Sequence, residues 1–147
     1  MLNQACLTAR RVQEDIYNKK KLKNEELDRL TPEEFKQAEK YPVVLVLDDV
    51  RSAMNVGSAF RTSDAFSIEK IYLCGITAQP PHREINKTAL GAQDSVSWEH
   101  VESIDACISS LKNEGYQVIA VEQADESTSL LDFEASAGSK YAYVFGN

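Results

Sequence analysis

Residues 42–66 read PVVLVLDDVRSAMNVGSAFRTSDAF: an unbroken apolar run from Val43 to Leu47, a polar turn, then a segment of helical periodicity. The run has the length of one strand and is rich in β-branched side chains. It does not alternate apolar with polar residues, so both of its faces would be buried, as in a parallel sheet covered on each side. On a helical wheel with about 100° between successive residues, Val56, Ala59, Phe60, Ser63 and Phe66 gather on one mostly apolar side. Asn55, Ser58, Arg61, Thr62 and Ala65 gather on the other.

Similar short runs recur downstream at Ile71 to Cys74, more weakly at Ser95 to Trp98, at Val118 to Val121 and at Ala142 to Phe145, with starts 28, 24, 23 and 24 residues apart. That interval accommodates a strand, a turn and a helix, and it predicts an α/β fold: a parallel sheet with flanking helices. The segments between the runs agree. Ile104, Cys107, Ile108 and Leu111 form a helical stripe, and Gly115 can take the left-handed conformation that closes a helix. Upstream, Thr31-Pro32-Glu33-Glu34 predicts a helix start. The Thr31 hydroxyl would cap the Glu34 amide, Pro32 suits the first turn, and Glu34 completes a capping box; this helix ends before Tyr41-Pro42.

A chain of 147 residues with 43% hydrophobic and 27% charged residues matches one ordinary globular core. Its apolar runs fall far short of the roughly 20 residues that span a bilayer. The N-terminus lacks an apolar signal segment, and Cys6, Cys74 and Cys107 form no C-x-x-C pair, so a reduced, cytoplasmic protein is expected. Net charge is −7, unevenly placed: residues 1–41 hold nine Lys/Arg against eight Asp/Glu, and residues 42–147 hold seven against fifteen. The division expected is a helical N-terminal extension, residues 1–40, and a main domain, residues 41–147. Any polyanion contact from the main domain must be local. Lys19, Lys20, Lys21 and Lys23 read either as a solvated helix face or as a phosphate-contacting arm.

The chain has no G-x-G-x-x-G, no G-x-x-x-x-G-K-[ST] and no G-x-S-x-G. His82 and His100 stand apart from each other and from the cysteines, and read as ordinary polar residues rather than metal ligands. Parallel α/β sheets bind ligands beyond the carboxyl ends of their strands, which directs attention to the segment after Leu47. The polar side of that helix suits a phosphodiester or ribose. Backbone amides at the helix start and Asn55 would donate hydrogen bonds, Gly57 would permit close approach, and Arg61 would offer a guanidinium fork. The other reading of Arg61 is an ion pair with Asp64, Asp48 or Asp49.

Asp49-x-x-x-x-x-Asn55-x-Gly57-x-x-x-Arg61-Thr62, directly after an apolar strand, resembles the first motif of the SpoU (TrmH-like) RNA ribose 2′-O-methyltransferases of the SPOUT superfamily. Ile71-Tyr72-Leu73-Cys74-Gly75 resembles that family's second strand, and Lys87-Thr88-Ala89-Leu90-Gly91-Ala92 its K-x-[SA]-x-G-A segment. Tyr141 to Asn147 resembles the strand that opens its second motif, G-[NS]-E-x-x-G. The resemblance runs from Tyr41 to the last residue. It implies a SPOUT-type (α/β knot) domain that transfers a methyl group from S-adenosylmethionine to a ribose 2′-hydroxyl of tRNA or rRNA, as a homodimer and without a metal. By the same resemblance Arg61 and Asn55 are catalytic, Arg61 acting together with a substrate phosphate, and Gly146 and Asn147 open the cofactor loop; the helix-face reading adds Ser58, and the arm reading the lysine cluster, as RNA contacts. The family's next glutamate and its third motif are not in this chain, so the C-terminal knot segment is expected to be missing from it. The alternative is a non-catalytic RNA-binding or dimerisation fragment of such an enzyme.

Overall fold

The computed structural model describes residues 30–146, and the chain divides into two units, residues 1–30 and Thr31–Asn147, of which the second is described. The second unit begins with helix α1 (Pro32–Gln37), where Thr31 Oγ1 accepts from the Glu34 amide at 3.2 Å and Glu34 Oε2 accepts from the Thr31 amide at 2.8 Å. The expected capping box is thus present. There follow β1 (Tyr41–Asp48), α2 (Ala53–Ala65), β2 (Ile68–Cys74), α3 (Arg83–Ala89), α4 (Ala92–Ser95), β3 (Trp98–Val101), α5 (Ile104–Asn113), β4 (Tyr116–Ala120) and β5 (Lys140–Phe145).

All five strands are parallel, in the order β3-β2-β1-β5-β4. Strand β1 lies in the middle and sends alternate side chains to two cores. Leu45 and Leu47 join Val56, Phe60, Ile71, Leu73, Ile85 and Ala89 on one face, while Val44 and Val46 join Cys74, Cys107, Leu111 and Ala142 on the other. This is why the run is apolar throughout: a strand covered on both faces has no solvent side to mark with polar residues. Phe35 of α1 also packs into the first cluster.

Crossovers of a single hand account for the placement of the helices. From β1 to β2 to β3 the chain moves toward one edge, and α2, α3 and α4 cover one face. From β3 to β4 it returns across the whole sheet, and α5 lies on the opposite face. α5 closes as its sequence predicts, with Gly115 at φ 87°.

Three expectations need correction. The weak run at Ser95 to Trp98 is not the third strand: Ser95 ends α4, Val96 is buried beside it, and β3 starts at Trp98. A short apolar run looks alike at a helix end and in a strand. The interval between β4 and β5 holds no helix; residues 121–139 connect the strands as an exposed, irregular segment. Phe66 was placed on the apolar side of α2, yet it lies just past the last helical turn and is 64% exposed.

Candidate active site

The turn between β1 and α2 is held by side chains at the carboxyl edge of the sheet. Asp49 adopts a left-handed backbone, φ 50°, and its Oδ1 accepts from the Ile76 amide at 2.9 Å. Gly75, at φ 59°, leaves room for this carboxylate, since a Cβ there would collide with Asp49 Oδ1. Buried Thr77 donates its hydroxyl to the Leu47 carbonyl and accepts from the Val50 amide, both at 3.0 Å. The motif aspartate is therefore a stitch between the ends of β1 and β2. Sequence reading missed Thr77, because its partners are about thirty residues away and carry no local signal.

Ser52 caps α2, its Oγ accepting from the Asn55 amide at 3.3 Å. The Asn55 and Val56 amides also reach the Ser52 carbonyl, so these two donors are spent inside the turn. These two amides are therefore not offered to a ligand, whereas Asn55 is an exposed residue at the helix start. Ser58 donates its hydroxyl proton to the Met54 carbonyl at 3.0 Å, which leaves its oxygen free to accept.

Gly57 is buried, not open to a ligand. A Cβ there would lie 2.6 Å from the Ile85 carbonyl oxygen and would also strike Thr88 Oγ1. Thr88 Oγ1 in turn reaches the Met54 carbonyl at 3.0 Å and the Glu84 carbonyl at 3.1 Å. The close approach that Gly57 permits is that of α3 to α2. Asn55, Ser58 and Arg61 are all exposed on the side of α2 away from the sheet, as the wheel predicts. Arg61 forms no ion pair with another described residue. Asp64 Oδ1 instead accepts from Ser95 Oγ at 2.8 Å, and Asp49 is engaged with Ile76. The guanidinium fork is available for an anion.

Gly146 follows β5 directly and is exposed, beside the end of β1, where Leu47 pairs with Phe145. Asn147 and Lys19, Lys20, Lys21 and Lys23 lie outside the described residues. A cavity of about 780 Å³ opens along β4 and β5, lined by Ile119, Val121, Phe133 and Tyr143 and by the polar residues Glu122, Asp125 and Ser127. Tyr143 pairs with Ile119 and with Leu45, so the cavity shares the α2 face of the sheet. Aromatic and aliphatic walls beside carboxylates suit an adenosyl group, whose base is apolar on its faces and whose ribose hydroxyls donate. Phe133 and Tyr143 were not singled out from sequence; an exposed segment that folds back over a strand leaves no periodic trace.

Asp48 ends β1 on the opposite face. Burial, then the neighbouring carboxylates of Asp49 and Asp105, push its pKa above the ordinary carboxylate value. His82 caps α3, with Nδ1 accepting from the Glu84 amide at 3.2 Å, and His100 Nε2 contacts the Gly75 carbonyl at 3.0 Å. Both histidines thus have structural partners.

A parallel α/β sheet whose first crossover helix shows an asparagine, a serine and an arginine with no ion pair among the described residues is the architecture of a ligand-binding α/β domain. The SpoU rRNA Methylase family profile matches residues 42–147, and the chain belongs to that family. It is 24% identical over 106 residues to the 23S rRNA (guanosine-2′-O-)-methyltransferase RlmB of Neisseria meningitidis, covering 72% of this chain and 41% of that protein. It is 28% identical over 96 residues to the mitochondrial rRNA methyltransferase 1 of Dictyostelium discoideum, covering 64% of this chain and 18% of that one. The chain thus spans less than half the length of these relatives. Among solved structures, the TrmH/SpoU tRNA modifying enzyme of A. aeolicus superposes with a TM-score of 0.67 at 18% identity, over 79% of this chain and 59% of that one. An AdoMet-bound rRNA methyltransferase from Sinorhizobium meliloti superposes with a TM-score of 0.62 at 23% identity, over 80% and 43%. These two likenesses establish the fold.

Proposed function

We propose that the chain belongs to the catalytic domain of an RNA methyltransferase that moves a methyl group from S-adenosylmethionine to a ribose 2′-hydroxyl of tRNA or rRNA. The observation that carries this reading is Arg61: exposed, free of any ion pair with a described residue, and on the same helix face as Asn55 in a chain of the SpoU family. S-adenosylmethionine, when bound, supplies a sulfonium methyl that is already activated, so the protein's task is to align the hydroxyl and ease loss of its proton. Arg61 holds a substrate phosphate and brings it to the 2′-hydroxyl as proton acceptor. Asn55 orients the ribose, and the Ser58 oxygen accepts from a neighbouring sugar hydroxyl. Gly146 and Asn147 open the loop that holds the cofactor, with its adenosyl end against Ile119, Phe133 and Tyr143. The lysine cluster, Lys19, Lys20, Lys21 and Lys23, supplies long-range attraction to RNA. A homodimer in the cytoplasm is the matching assembly and location.

The test is transfer of labelled methyl from S-adenosylmethionine to RNA, with the product read by resistance of one phosphodiester to alkaline cleavage, as a 2′-O-methyl requires. The enzyme is the protein carrying this domain together with any continuation encoded beyond Asn147. Arg61→Ala should lower turnover by about 10²-fold or more, the scale of a lost proton-transfer partner. Arg61→Lys should remain impaired, because an ammonium lacks the planar fork. Methyl found on a base, or full turnover by Arg61→Ala, would reject the reading.

A further inference from the structure

Charge within the α/β unit is sharply divided. Residues 51–92 carry five Lys/Arg against three Asp/Glu, while residues 93–146 carry two against ten. The first group contains α2, β2 and α3, and the second contains most of α4, β3 and α5 as well as β4 and β5 at the opposite edge of the sheet. The exposed cations of α2 and α3 are where this unit would draw a polyanion.

Helix α3 has a stripe that the site described above does not use. Arg83 and Lys87 share the face opposite the buried Ile85 and Ala89, and Leu90, at i+7 from Arg83, is the left-handed cap that ends the helix; all three are exposed. Arg83 forms no ion pair with another described residue. Lys87 has only a loose contact of 3.9 Å with Glu84, and both side chains remain exposed. Leu90 is 68% exposed and stands in a left-handed backbone conformation, φ 53°, where a glycine would be relaxed. On α2, Met54, Ser58 and Arg61 have the same i, i+4, i+7 spacing and are also exposed. The Thr88 to Met54 hydrogen bond of 3.0 Å joins the two helices at the first residue of one stripe and beside the lysine of the other. Gly57 removes the Cβ that would keep the helices apart.

We infer that the α3 stripe is a second contact surface for the RNA strand, continuous with the Asn55, Ser58 and Arg61 face. Arg83 and Lys87 hold phosphates next to the nucleotide that Arg61 engages. This rests on the reading of the chain as RNA-acting. Two cations on neighbouring turns, beside an exposed apolar side chain, fit a single strand: phosphates pair with the cations and an unstacked base covers the leucine.

The experiment is fluorescence anisotropy of a labelled single-stranded RNA of about 20 nucleotides, titrated with the 147-residue chain from roughly 25 to 200 mM salt. Arg83→Gln with Lys87→Gln should reduce the salt slope of log affinity by about 1.4, two phosphates at about 0.7 each, and weaken binding about tenfold or more at low salt. Lys87→Gln alone should produce half the slope change. Lys112→Gln with Lys140→Gln removes the same charge from the other half and should leave both quantities near their starting values. Circular dichroism checks that each variant is folded. An unchanged slope in the α3 double variant, or equal losses in both double variants, would overturn the inference while leaving the RNA-acting reading intact. Failure of the unsubstituted chain to bind RNA at the lowest salt would remove both.

Discussion

Gly57→Ala separates two roles for this glycine: a gap left for a ligand, or a gap filled by a neighbouring helix. The new Cβ would lie 2.6 Å from the Ile85 carbonyl oxygen and 3.1 Å from the Ala89 amide nitrogen. An ordinary carbon–oxygen contact is about 3.3 Å or more, so α3 must retreat from α2 by roughly 0.7 Å. Overpacking of this kind costs about 1–3 kcal/mol. The Thr88 hydroxyl must also turn aside, giving up its bond to the Met54 carbonyl, worth about 1 kcal/mol. Alanine's better helix propensity returns about 1 kcal/mol. The net expectation is a loss of about 2 kcal/mol, which for a unit of this size lowers the melting temperature by roughly 6–12 °C. Thermal and urea unfolding of the two proteins measure it. In the Gly57→Ala background, Thr88→Ala should cost less than it does alone, since it removes one of the two colliding groups. A melting temperature that stays level or rises would refute the packing role, because a glycine facing open space would be stabilised by alanine.

Thr77→Val keeps the shape of a buried side chain but leaves the Val50 amide and the Leu47 carbonyl without their partner, and should cost about 1–3 kcal/mol in urea unfolding. Asp48 has a raised pKa in the folded protein, so the folded state binds its proton more tightly than the unfolded chain does. Its favourable contribution is complete below the ordinary aspartate range and disappears as pH rises through the raised value; Asp48→Asn should therefore flatten stability against pH from about 4 upward. A wild-type decline that persists in the variant would assign it to other groups. Changing Lys19, Lys20, Lys21 and Lys23 to Gln should flatten the salt slope of RNA binding by roughly 1–3 units, and an unaltered slope would make them a solvated face. Arg61→Ala, besides its effect on turnover, should change the melting temperature little, as an exposed side chain without a described ion pair contributes at most about 0.5 kcal/mol.

Periodicity and local chemistry were legible in the sequence because they concern residues close in the chain. The run at Val43 to Leu47 announced a strand buried on both faces, the Thr31-to-Glu34 segment announced its own cap, and the wheel after Asn55 separated the sheet side of α2 from the side that shows Arg61. The motif spacing pointed to the family. Tertiary structure decided matters that depend on residues far apart. It assigned Gly57 to the approach of α3, Asp49 and Thr77 to the stitching of strand ends, and the amides of the α2 start to their own cap. Among the described residues it gave Arg61 no ion pair, with Asp64 bonded to Ser95 and Asp49 to Ile76. It also moved β3 past the weak run at Ser95 and folded residues 121–139 over β4 and β5. A side chain's local pattern shows which way it faces; only the packed fold shows what is already there to meet it.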